Sequence, residues 1–159
     1  MACRTPPVLH RDISFGNLIY HGDDQSTFLI DFGTAVVAPT GRFLAVNPRS
    51  ITGTPTFIAR SVLAGEGYTV SSELESLMYV FVFMAVDGAA HWGNKYIGAT
   101  ALHAKVAIFY EQESFEKYVL RRCRSDLVQA VKRLRNLFWR PTYQRSVTPL
   151  QFCQALQPA

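Results

Sequence analysis

The sequence predicts a mainly α fold that carries a small β hairpin, and three observations predict it. Short, β-rich apolar runs are confined to residues 8–38, where LIY and FLI flank the turn-forming stretch HGDDQS. The run LMYVFVFMAV continues for several helical turns after an acidic stretch, Glu73-Leu74-Glu75. Between Phe115 and Phe138, apolar residues recur near a 3.6 period with Lys and Arg between them.

Each element can be justified in chain order. Leu18-Ile19-Tyr20 and Phe28-Leu29-Ile30 are expected to pair across the turn as a hairpin. Residues 39–56 are rich in Pro, Gly, Ser and Thr and hold no sustained period, so an extended surface loop is expected there. Ser72 is placed to cap a helix whose acidic first turn suits the helix dipole and whose later turns are apolar all round, the mark of burial. A second helix is expected over 115–138 and a last short one over 148–156.

Composition limits the function classes. A chain of 159 residues with 48% hydrophobic and 18% charged residues can bury a core, which argues for one folded domain. The net charge of +4 is read as an ordinary solvated face, with no aromatic platform or motif for nucleic acid behind the basic stretch 117–145. The 3 cysteines are widely spaced and lack CxxC or Cys/His ligand spacing, so neither a disulfide framework nor a zinc site is expected. The start MACRTPPVLH lacks an apolar signal core, and the longest apolar run falls short of the roughly 20 residues of a membrane span. An intracellular setting, cytoplasmic or nuclear, follows as the expectation.

The chemistry sits in LHRDISFGNLIYHGDDQSTFLIDFGTA. Asp12 and Asn17 lead into one strand and Asp31 closes the next, so a hairpin would gather a base and oxygen ligands around one spot. Phosphoryl transfer needs such a set: a carboxylate that orients and deprotonates a hydroxyl, and oxygen ligands for Mg²⁺ on the phosphates of ATP. Any single Asp or Asn here is better read as a turn-capping residue, common before strands. The ordered set favours the chemical reading.

HRDISFGN resembles the protein-kinase catalytic loop HRDxxxxN, and LIDFGTA resembles the DFG magnesium motif. TGTPTFIARSVL resembles the end of a kinase activation segment, YTVSSELESLMYVF the start of the buried central helix, and WRPT the RPT of the last helical region. Ile-Ser after HRD, GTPTF without a following Pro-Glu, and LES are similar to the fungal-type protein kinase family. The resemblance implies a partial protein kinase domain over 1–159, a C-terminal lobe with catalytic loop 10–17, DFG 31–33, activation segment 31–63 and helical body 71–159.

The resemblance further implies roles. Asp12 would accept the substrate hydroxyl proton, Asn17 and Asp31 would bind Mg²⁺, and Thr54 would hydrogen-bond toward Asp12. Ile19 would pack under the adenine of ATP, and Ser14 would stand beside the transferring phosphate where most serine/threonine kinases have a Lys. His10 and Phe32 would pack in the internal column. Arg11 would meet a phosphate on the activation segment, with Thr40, Ser50 and Thr52 as candidate acceptors. A protein substrate would dock along the activation segment.

Departures from the pattern carry expectations as well. Ser14 brings no charge to the phosphate, and Glu73 replaces an Asp that holds the catalytic loop. Arg60-Ser61 replaces the Pro-Glu whose carboxylate pairs with the Arg of RPT, here Arg140, so that ion pair is expected to be lost. Only MACRTPPVL precedes His10, without a Gly-rich loop or phosphate-pairing Lys, so the small lobe is expected to be missing and nucleotide affinity weak. Three functions remain open: a Ser/Thr protein kinase whose complete form is active, a catalytically dead kinase-like binding or scaffold module, and a small-molecule phosphotransferase of the aminoglycoside or choline type. The last shares DxxxxN but lacks GTPTF.

Overall fold

In a computed structural model the structure describes residues 8–37, 51–93, 98–139 and 146–157. Two small antiparallel sheets open the fold. Strands β2 (Leu18–His21) and β3 (Ser26–Leu29) form the hairpin, in the register Leu18 to Leu29 and His21 to Ser26. Asp24 closes its turn by accepting the Ser26 N–H, and Gln25 takes the left-handed conformation at φ 55°. Strand β1 (Val8–Leu9) pairs with β4 (Val36–Val37), a sheet that alternation in so short a run did not predict.

Six α-helices follow among the described residues: α1 (Arg60–Leu63), α2 (Val70–Ala85), α3 (Ala99–Phe109), α4 (Gln112–Tyr118), α5 (Val128–Phe138) and α6 (Pro149–Leu156). The mainly helical expectation is met. Helix α2 is the axis: Met78, Tyr79, Val80 and Val82 are buried among Trp92, Phe109, Phe115, Val131, Leu134 and Trp139. A second, smaller core of Leu9, Ile58, Val62, Leu63, Tyr68 and Ala101 ties β1 to α1 and α3. No helix among the described residues is long and apolar enough to cross a membrane.

Three expectations are corrected. Helix α2 begins earlier than Ser72, because Thr69 is the N-cap: its side chain accepts the Ser72 N–H while Ser72 accepts the Thr69 N–H. The helix expected over 115–138 is broken between Tyr118 and Val128, with a single 3₁₀ turn at Leu120–Arg122 and an extended Cys123. The Arg124 N–H there donates to the Ala85 carbonyl, so the chain leaves helical geometry to close the end of α2. Helix α3 was not predicted, since ATALHAKVAIF shows no clear polar face. Helix α6 follows Thr148 as expected, with a capping box between Thr148 and Gln151.

Candidate active site

The loop of residues 10–17 is fixed from below by the helical body. Leu9 is buried beside Ile58 and Val62, which anchors the chain as it enters the loop. The next two N–H groups, of His10 and Arg11, both donate to the Glu73 carboxylate from the first turn of α2, at 2.8 Å and 3.2 Å. Burial pushes the Glu73 carboxyl above its ordinary value, and the N–H bonds from His10 and Arg11 pull the other way. Glu73 therefore reaches the loop despite its extra methylene.

His10 ties the loop to the strand after the hairpin. Its Nε2 lies 2.9 Å from the Ile30 carbonyl, and its Nδ1 accepts the Asp12 N–H at 3.3 Å, which together place the ring proton on Nε2. The ring packs edge-on against Phe32 at 4.8 Å, and the Thr34 hydroxyl donates to the His10 carbonyl. Arg11 adopts φ 70°, and its guanidinium lies over the Tyr68 ring at 4.8 Å. Its Nε is buried without a partner among the described residues.

Asp12 is held on one side only. Its Oδ1 accepts the Thr54 N–H at 3.0 Å and the Thr54 hydroxyl at 3.1 Å, while Oδ2 has no partner among the described residues. This close approach explains Gly53, which sits at φ 112° where a Cβ would meet the Arg11 carbonyl oxygen at 2.9 Å. Asn17 lies on a 3₁₀ turn (Phe15–Asn17), and its Nδ2 donates to the Asp12 carbonyl at 2.9 Å. The Asn17 carbonyl accepts the Ile30 N–H, so the residue before Asp31 is bonded to Asn17. Asp31 takes a left-handed conformation at φ 62° and accepts the Gly33 N–H. It is exposed.

The loop and hairpin thus bring Asp12, Asn17 and Thr54 together and set Asp31 one residue beyond the Asn17 bond. The remaining expected residues are placed less centrally. Ser14 is only 4% exposed, so its hydroxyl offers little surface to a phosphate. Ile19 on β2 is half exposed. Thr52 is engaged by Tyr68, whose hydroxyl receives the Thr52 N–H and donates to its carbonyl. Thr40, Ser50 and Arg140 lie outside the described residues.

Among the described residues no group of three or more His, Cys, Asp or Glu side chains is set to hold a metal ion. The candidate ligands for Mg²⁺ are instead one carboxylate and one amide oxygen. With its nitrogen engaged, Asn17 presents Oδ1 as its open end, and Asp31 offers an exposed carboxylate. A small, hard cation that keeps waters and takes its other ligands from phosphates fits that donor set.

Beneath Thr54 lies a buried polar layer that the sequence did not reveal. Arg60 Nε pairs with Glu75 Oε1 at 2.7 Å, both groups nearly buried, and the guanidinium stacks on Trp139 at 3.7 Å. Tyr79 donates to the same Glu75 oxygen. The ion pair expected to be lost is that between position 61, here Ser61, and Arg140, which lies outside the described residues, while the neighbouring Arg60 pairs with Glu75. The lone signal was charge inside otherwise apolar helix register.

The family model described as fungal protein kinase matches residues 4–85, which hold the loop, the hairpin, Asp31, the Thr54 turn and all of α2. No curated protein matches the chain.

Proposed function

The chain belongs to the fungal protein kinase family, and from that premise we propose that this lobe carries out ATP-dependent phosphoryl transfer to a protein Ser or Thr hydroxyl when it works with a nucleotide-binding lobe. Asp12 is the base. Its carboxylate is oriented through Oδ1 by both donors of Thr54, which leaves Oδ2 to accept a proton. That one-sided restraint is the observation that carries the reading.

The substrate hydroxyl approaches Oδ2, its oxygen bonds to the γ-phosphorus, and the bond from that phosphorus to the β-bridging oxygen breaks, releasing ADP. The hydroxyl proton passes to Asp12. Asn17 and Asp31 would hold Mg²⁺, which supplies charge neutralisation on the phosphates when bound. Ile19 gives an apolar face to the adenine. The peptide lies along the activation segment near Thr54, and an intracellular setting, where ATP is available, accompanies this reading.

A second reading, a kinase-like module that binds partners without transferring phosphate, is favoured by one observation. Ser14 is uncharged and buried, at the position where most serine/threonine kinases set a Lys on the phosphate.

The deciding experiment joins this chain to a small lobe of the same family and follows transfer from labelled ATP to Ser/Thr peptides. Magnesium-dependent labelling, reduced at least about 100-fold by Asp12→Asn and by Asp31→Ala, supports the enzyme. Absent labelling in a folded, nucleotide-bound protein supports the binding module.

A further inference from the structure

The turn that carries Thr54 is pinned from behind by side chains remote in sequence. The Phe57 and Ile58 N–H groups fold back onto the Thr54 carbonyl, which defines the turn. Its outward carbonyls then need partners. Lys105, on α3 and wholly buried, donates through Nζ to the carbonyls of Pro55, at 3.0 Å, and Ile58. Trp92 Nε1 donates to the Thr56 carbonyl between them.

We propose that Lys105 is a positioning residue for Asp12: it fixes the Pro55–Ile58 turn through two carbonyls, and that turn fixes the Asp12 carboxylate through Thr54. A buried cation is a costly way to satisfy two carbonyls, and an apolar side chain would pack the site without them. What Lys105 adds is a rigid register between α3 and the turn. The charged and titratable groups facing it are Glu75 and Tyr79 on α2 and Arg60 on α1. Burial pushes its ammonium down to about 7, with Glu75 opposing and Arg60 reinforcing, so its protonation changes near neutral pH.

The inference uses the proposed role of Asp12 only to name what is positioned, and its test reads geometry without phosphotransfer. Amide hydrogen exchange and shifts of Thr54 are followed by NMR in the 159-residue chain and in Lys105→Met. The expected result is a loss of Thr54 protection of at least about tenfold while α2 amides keep theirs. Unchanged Thr54 protection, or an equal loss throughout α2, overturns the proposal. Should Lys105→Met not fold, the unaltered chain decides: the Thr54 amide shift is expected to follow the Lys105 Cε signal as pH is raised through 7, and a Thr54 signal that does not follow it overturns the proposal. A clamp upheld by NMR alongside absent phosphotransfer would count against the kinase reading alone.

Discussion

The two halves of this molecule solve opposite problems. Residues 8–37 set Asp12, Asn17 and Asp31 in turns beside a hairpin with large apolar side chains facing outward, Tyr20 at 65% and Phe28 at 52% exposure. The helical body does the reverse and takes charge inward, burying Arg60, Glu75 and Lys105 around Tyr79 and Trp139. The difference teaches where the precision of the site originates. A hairpin with little core of its own cannot hold a carboxylate in place. Here Glu73 and Thr54, both placed by the body, grip the loop that the hairpin follows.

The comparison breaks most severely at the buried charges. Glu75→Ala strips Arg60 and Tyr79 of a shared partner and removes the carboxylate that offsets Lys105, so a loss of about 3–5 kcal/mol is expected in urea unfolding. Lys105 gives the next effect. Because its folded value is lowered to about 7, the unfolded chain binds this proton more tightly between there and 10.5, and stability rises with pH across that window. The slope is at most about 1.4 kcal/mol per pH unit, and Lys105→Met should flatten it.

Glu73→Ala leaves the His10 and Arg11 N–H groups without an acceptor and should cost about 1–3 kcal/mol. Its raised value has the opposite linkage to that of Lys105. The folded chain holds the Glu73 proton more tightly, so that contribution is present at low pH and is lost as pH rises through the folded value. Glu73→Gln, which keeps an acceptor, should remove that dependence in an acid titration of stability. The smallest effect belongs to the other half: Tyr20→Ser on the exposed hairpin should change unfolding by less than about 0.5 kcal/mol. A large loss there would mean the hairpin is held by more than its own register.

What the sequence made legible follows the same division. The hairpin could be read because β-rich runs flank a stretch of turn residues, and α2 because its apolar run is long. Its start could not, since Thr69 and Ser72 cap each other only once the chain before them turns. The break between α4 and α5 depends on Arg124 finding the Ala85 carbonyl, a contact across sequence that periodicity does not encode. Asp12, Asn17, Asp31 and Thr54 stood out through their order. Glu75 did not, because it looked like one more acidic residue in the first turns of α2, and Lys105 did not, because its helix shows no clear polar face and the carbonyls it meets, of Pro55 and Ile58, lie far along the chain.

The central claim is that Asp12, Asn17 and Asp31 surround one metal–phosphate site. Mn²⁺ added with ATP to the isotope-labelled chain tests it most directly, since a bound paramagnetic ion broadens nearby NMR signals even when binding is weak. The account predicts selective broadening at residues 12, 17 and 31–33, relieved by Mg²⁺ and abolished by Asp31→Ala, with α5 untouched. Broadening centred elsewhere, or unchanged in Asp31→Ala, would contradict it.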